Sequence, residues 1–293
     1  MKYRIKHVTT YRYVDKVSLC QNQAHLSPLT RQNQTCTFST ISVEPETSYL
    51  TQYQDYFGNT VTVFDVATLH DELIVTNESE VELFARQQPA LFEHLTLWEE
   101  ARRQLANPVT DDALAAAEFT LPTALTTPTP EIAAYATDSF LPGRGLVDAC
   151  LDLNQRIFSD FSFDATFSTI NTPLSEVMEH RKGVCQDFAH LALACLRSVG
   201  LAARYVSGYI ETIAPEGAIK LEGADATHAW LEVWVPEAGW LELDPTNNLI
   251  PSDQHVVLAV GRDFADISPL KGVIFGGGNH QISVAVDMVR QAE

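Results

Sequence analysis

The sequence predicts an α+β protein in three parts, and three observations predict it. Period-two alternation punctuated by turn residues occupies residues 1–88. From 89 to 145 the alternation disappears, and Ala, Leu, Glu and Arg gather around the Thr/Pro cluster TLPTALTTPTP. From 146 to 293 helical periodicity comes first and alternating segments follow. The expected plan is an amino-terminal β domain, a helical linker, and an α+β domain that ends in a β extension. A chain of 293 residues, 45% hydrophobic and 19% charged, has ample apolar material for such cores.

Each element has a local reason. MKYRIKHVTTYRYVDKV alternates apolar or aromatic with polar residues, which reads as a strand and not as a signal peptide. DYFGNTVTVFDVAT holds a tight turn, where Gly58 and Asn59 can supply positive φ. In the strand after it, Thr62, Phe64 and Val66 share one face, and Val61, Val63 and Asp65 the other. The aromatic residues beside this turn are expected to pack. ELIVTNESEVELF reads as two short strands around Asn77, Glu78 and Ser79.

In the linker, Thr129 and Pro130 suit the N-cap and first position of a helix over EIAAYATDSF. LVDACLDLNQRIF sets Leu146, Cys150, Leu153 and Ile157 on one apolar helical face, so Cys150 is expected in the core. Thr172-Pro173 opens a short helix, LSEVMEH, and a further helix begins at Cys185. There Phe188, Leu191, Ala192, Cys195, Leu196 and Val199 make one apolar stripe, with Gly200 as the stop. Strands follow in AARYVSGYIET, THAWLEVWVP, GWLELDP, VVLAVG and QISVAVDMV. In the last, Ile282, Val284, Val286 and Met288 alternate on a face expected to be buried. GGG at 276–278 reads as a hairpin turn, because no helix follows it to cradle a phosphate.

With 19 basic and 38 acidic side chains the formal net charge is −19, so nucleic acid and acidic membrane surfaces are not expected as partners. No run of eighteen apolar residues occurs, and no membrane span is expected. Five scattered cysteines do not make a disulfide framework, which points to the reducing cytoplasm. No CxxC or HExxH spacing supports a metal site, no G-x-S-x-G supports a serine hydrolase, and no cofactor is expected. Nothing in the sequence bears on oligomeric state.

The chemistry concentrates in GVCQDFAHLALACLRSVGL. Cys195 belongs to the apolar stripe, whereas Cys185 precedes it at the helix start, where free N–H groups and the dipole favour a thiolate. A cysteine nucleophile also needs a base, and His228 in the strand THAWLEVWVP is the candidate. After the turn PEAGW, LELDPTNN brings Asp244 to the end of a strand that should pair antiparallel with the His228 strand, so its carboxylate can fix the imidazole tautomer. Asp187 is expected to stabilise the helix dipole. His190 projects about 140° around the helix from Cys185 and is a poor base. Gln186 is weighed as an oxyanion donor beside the Cys185 N–H, Trp230 as wall or acyl-pocket residue, and Ser207, Gly208 and Tyr209 as a possible border of the site.

GVCQDFAHLALACLRSVGLAARYVSGY followed by DATHAWLEVWVPEAGWLELDPTNN resembles the transglutaminase-like superfamily, whose core is papain-like. The resemblance covers roughly residues 150 to 250. The region with the DYFGN turn looks like the amino-terminal β domain of bacterial members, and GRDFADISPLKGVIFGGGNHQISVAVDM like their tail. The resemblance implies Cys185 as nucleophile, His228 as general base and acid, and Asp244 as orienting carboxylate. It also implies attack on a carboxamide or peptide carbonyl through a thioester, in a peptide or protein substrate, with a cysteine protease or amidase expected. Amine transfer by a protein-glutamine transglutaminase and a non-catalytic binding protein of the same fold are the alternatives.

Overall fold

The computed structural model describes residues 1–84, 95–212, 223 and 225–291; the expected boundary between 88 and 89 lies outside them. From the amino end come β1 (Lys2–Ala24), β2 (Gln34–Glu44), β3 (Tyr49–Gln54), β4 (Thr60–Val66) and β5 (His70–Leu83). Helices follow: α1 (Trp98–Ala106), α2 (Asp111–Ala117), a 3₁₀ turn (Glu118–Thr120), α3 (Pro130–Thr137) and α4 (Leu146–Asp160). Then come β6 (Ser162–Phe163), α5 (Leu174–His180), β7 (Lys182–Gly183), α6 (Cys185–Ser198), β8 (Ala203–Ile210), β9 (Ala226–Val235) and β10 (Gly239–Leu243). The described chain closes with β11 (His255–Gly261), β12 (Leu270–Gly276) and β13 (His280–Arg290).

Among the described residues, seven strands form one antiparallel sheet around β1. Along one edge of β1 run β5 and then β4, and along the other β13 and then β12. Outside them, β2 pairs with β5 and β3 with β4. The seven strands therefore lie in four rows: β1 runs unbroken, while the β5/β4, β13/β12 and β2/β3 rows are each made of two strands in succession. The terminal strands β12 and β13, grouped by sequence with 146–293, complete the sheet of the amino-terminal strands.

Two readings change here. Gly276, Gly277 and Gly278, with φ of 99°, 82° and 59°, do not turn the chain back: β12 and β13 both run antiparallel to β1, and the glycines form a bulge between them. A Cβ on Gly276 would stand 2.5 Å from the Lys16 carbonyl oxygen, so the bulge needs glycine. ELIVTNESEVELF is likewise one unbroken strand, β5. Asn77 and Ser79 are buried, and Asn77 donates to Ser39 Oγ and the Thr40 carbonyl at 3.0 and 3.2 Å. Pairing with both β1 and β2 outweighs local turn propensity.

The second sheet is antiparallel in the order β10-β9-β8-β11. On it packs α6, buried from Asp187 through Arg197, so its polar face lies inside as well as its apolar stripe. The expected linker is part of this core: Ala101, Leu105, Ala113, Phe119, Ile132 and Tyr135 join the cluster of α4, α6 and β9. Thr129 caps α3 as expected, accepting the Ile132 N–H at 3.2 Å with Pro130 first in the helix. α5 follows Thr172-Pro173 as expected, with Pro173 as its N-cap.

The two sheets meet face to face: Tyr3, Ile5, Val81, Val286 and Met288 cluster with Tyr209, Val256 and Leu258. Ile282 and Val284 are half exposed, because only the last part of β13 reaches this contact. Side-chain amides serve backbone of β11, the outer strand of the second sheet. Gln34 Nε2 donates to the Val257 carbonyl at 2.7 Å and Gln34 Oε1 accepts the Val257 N–H at 2.8 Å. Asn59 does the same for Val260, at 2.8 and 2.9 Å. Asp55 holds the DYFGN turn in place by accepting the Phe57 and Asn59 N–H groups.

Candidate active site

Cys185 is the first residue of α6, half-buried, with Val184 as N-cap. Asp187 folds back so that its Oδ2 accepts the Val184 N–H at 2.8 Å and the Ser168 hydroxyl at 2.5 Å. That return requires Gly183, where a Cβ would sit 2.8 Å from Asp187 Cβ. Burial raises the Asp187 pKa, opposed by these two donors. The GVCQD stretch is thus a helix start locked by its own carboxylate.

His228 lies near the start of β9 and Asp244 just after β10. The hairpin register of Trp240 with Trp234 and Leu243 with Leu231 brings the open end of β10 to the His228 end of β9. His228 Nε2 donates to Asp244 Oδ2 at 2.7 Å. Nε2 is thus engaged by Asp244, and Nδ1 is the nitrogen left for the neighbouring Cys185, which acts on the His228 charge. Burial by itself would lower the His228 pKa, but the hydrogen bonds and charges of Asp244 and Cys185 push it up to about 10. Burial by itself would raise the Asp244 pKa, and donors from His228, His255 and Asn247 hold it well below the usual carboxylate range.

Asp244 is held from every side. Oδ1 accepts the Thr246 and Asn247 N–H groups at 3.0 and 3.2 Å, and Oδ2 accepts Asn247 Nδ2 at 2.8 Å and His255 Nε2 at 3.3 Å. Sequence reasoning missed His255 and the role of Asn247. Asn247 stood in the DPTNN stretch and could have been read as an Asx partner of Asp244. Nothing local marks His255, which comes from β11, the far edge of the sheet. The ligand atoms of His228, Asp244 and His255 lie within 4.8 Å of one another, a set that suits a divalent cation, but their separations here are those of imidazole N–H groups donating to a carboxylate.

The other predicted residues are not gathered at the sulfur. Trp230 is fully buried, stacked on His228 with ring centroids 5.9 Å apart, and its Nε1 donates to Glu242 at 3.1 Å, so it backs the imidazole. Gly208 pairs with His228 across β8 and β9, and a Cβ there would lie 2.2 Å from the Val256 oxygen and 2.4 Å from Trp230 Cη2. Its missing side chain makes room for Trp230. Ser207 is buried, and Tyr209 is buried at the junction of the sheets with its hydroxyl 2.9 Å from His7 Nδ1. Gln186 reaches the Ile170 carbonyl at 3.5 Å, toward the loop before α5. His190 is buried, accepts the Phe264 N–H at 3.2 Å, and is pushed down to about 4 by burial. Cys150 and Cys195 are core residues whose thiols burial pushes up to about 12.

A half-buried thiol at a helix start, beside an imidazole whose Nε2 a buried carboxylate holds, is an arrangement for nucleophilic chemistry. Comparison with known proteins agrees in class. A match to the family described as "Bacterial transglutaminase-like N-terminal region" covers residues 3–82, and one to the "Transglutaminase-like superfamily" core covers 135–245. The chain is 40% identical to "Uncharacterized protein Rv2569c" of Mycobacterium tuberculosis over 296 residues, 98% of this chain and 92% of that protein. It belongs to the bacterial branch of the transglutaminase-like superfamily, with the amino-terminal β domain. A stretch of 103 residues is 35% identical to a "Protein-glutamine gamma-glutamyltransferase" of Pseudomonas aeruginosa, 32% of this chain and 15% of that protein. The fold is shared with a solved "Putative Cysteine Protease" from Cytophaga hutchinsonii, at a TM-score of 0.77 and 20% identity over 100% of this chain and 92% of that one.

Proposed function

We propose that the protein is a thiol-dependent acyl-transfer enzyme that hydrolyses amide or peptide bonds, with Cys185 as nucleophile, His228 as base and acid, and Asp244 as orienting carboxylate. The observation that carries the reading is the placement of His228 between Cys185, whose charge acts on it, and Asp244, which accepts its Nε2–H at 2.7 Å. The Cys185 thiol passes its proton to His228 as its sulfur attacks the carbonyl carbon, and the C=O π pair moves onto oxygen, facing the first N–H of α6. Collapse breaks the C–N bond, and the leaving nitrogen takes the proton held by His228. Water then gives a proton to His228 and attacks the thioester, and loss of the C–S bond restores the thiol. Asp244 keeps Nε2 protonated throughout, so Nδ1 does the proton transfer. The reducing cytoplasm is the proposed location, supported by five free cysteines.

A second reading is transfer of the acyl group to an amine, supported by the local 35% identity to a protein-glutamine gamma-glutamyltransferase. One experiment separates the readings. Wild type and Cys185→Ala are incubated with a peptide and carboxamide library, with and without a primary amine, and products are read by mass. Cleaved or deamidated products formed only by wild type support hydrolysis; amine adducts support transfer; identical products from both proteins overturn the assignment of Cys185.

A further inference from the structure

His255 occupies a place that local chain geometry does not explain. It begins β11, the strand farthest from β10 in the order β10-β9-β8-β11, and is 1% exposed. Yet its Nε2 lies 3.3 Å from Oδ2 of Asp244, which follows β10. The path exists because Gly208 on β8 has no side chain. Trp230 lies over that gap, stacked on His228 at 28° and meeting His255 edge-on at 5.3 Å and 82°. Three rings and one carboxylate from three strands thus form a single packed group.

Asp244 Oδ2 takes three donors, His228 at 2.7 Å, Asn247 at 2.8 Å and His255 at 3.3 Å. Each donor withdraws part of the carboxylate's charge and makes it a weaker acceptor for the others. We propose that His255 is a positioning residue which, by donating its Nε2–H to Asp244, fixes the carboxylate and limits how tightly that carboxylate retains the proton of His228. The proposal rests on the acyl-transfer reading for its purpose, since an acid that holds its proton too tightly protonates a leaving amine poorly. The groups facing His228 are Cys185 from α6, Asp244 and Asn247 after β10, and His255 from β11. Glu242 of β10 lies one ring away, on the Trp230 indole N–H.

The test uses full-length protein labelled with ¹⁵N-histidine, as wild type, His255→Gln and His255→Leu, followed by NMR from pH 5 to 12. Gln keeps a donor nitrogen where Nε2 stands; Leu removes it. His255→Leu raises the His228 midpoint by about one pH unit, and His255→Gln leaves it within about a third of a unit of wild type. Equal midpoints in all three proteins, or equal shifts in both variants, overturn the proposal, because a packing role does not distinguish Gln from Leu in this way. Wild type alone gives an independent check should His255→Leu fail to fold. Its His255 must carry the proton on Nε2, and an Nδ1–H tautomer overturns the proposal. None of these readouts needs a substrate, so loss of the acyl-transfer reading in the peptide experiment is distinguishable from failure of the His255 proposal.

Discussion

Replacing Gly208 by alanine is expected to disturb the site from behind without touching Cys185, His228 or Asp244. The added methyl would lie 2.2 Å from the Val256 carbonyl oxygen, 2.4 Å from Trp230 Cη2 and 2.8 Å from Cζ3. Ordinary carbon contacts begin near ~3.5 Å, so Trp230 must retreat by about 1 Å and β8 must part from β11. The ring has nowhere to go: it is fully buried, tied to Glu242, and wedged between His228 and His255. Overpacking of this kind costs about 2–3 kcal/mol. At about 2–4 °C per kcal/mol for a chain of this size, the Tm should fall by about 4–12 °C. Thermal unfolding followed by near-ultraviolet circular dichroism measures the fall and reports on Trp230, and iodoacetamide labelling of Cys185 should slow as His228 shifts. Gly145→Ala is the control, since its Cβ would meet the flexible Asp148 carboxylate at 3.2 Å. A Gly208→Ala protein that melts within about 1 °C of wild type would refute the reasoning, because it would mean the indole and β11 move aside at little cost.

Other outcomes follow from the same geometry. Cys185 should be labelled by iodoacetamide near neutral pH faster than Cys150 and Cys195, which are fully buried with thiols pushed up to about 12; peptide mapping that finds equal rates would remove the case for an activated thiol. In Asp244→Asn the His228 midpoint should fall well below about 10, because burial is then opposed by Cys185 alone, and ¹⁵N-histidine NMR would show this directly. The raised His228 pKa also makes folding stability depend on pH. A rise from 6.5 to about 10 corresponds to on the order of 5 kcal/mol, fully present below about pH 6.5 and lost as pH rises through about 10. Urea midpoints should therefore decline from pH 7 to 10 in wild type and decline less in His228→Gln. Asn59→Ala should cost about 2–4 kcal/mol in urea unfolding, since it strips both partners from the buried Val260 backbone.

Much of the site was legible because its signals are local. A glycine, a valine and a cysteine before an apolar stripe of helical period mark a helix start, and a histidine strand joined by a short turn to a strand ending in Asp244 marks a hairpin. Those two patterns brought Cys185, His228 and Asp244 together on paper. The supporting residues were not legible, because their roles depend on neighbours distant in the chain. Gly208 is weighed from sequence as a border of the site against strand packing, and its neighbours are Trp230, 22 positions on, and Val256 beyond it. Tyr209 is weighed as a border of the site and Trp230 as wall or acyl-pocket residue; both are fully buried, Tyr209 among residues of the other sheet and Trp230 among the rings around it. Turn propensity misread Asn77 and the triple glycine for the same reason. A residue that favours a turn in isolation also suits a buried ladder or a bulge once strands lie on both sides.

The sequence by itself determined the α+β class, the helix that begins at Cys185, the different positions of Cys185 and Cys195, and the hairpin that carries His228 and Asp244. These rest on periodicity, capping and turn chemistry, which act over a few residues. Only the tertiary structure decided that β12 and β13 belong to the sheet of β1, that the expected linker is core, and that His255 reaches Asp244 from the opposite edge of its sheet. Those arrangements depend on which distant surfaces bury one another, and hydrophobic burial carries no direction along the chain.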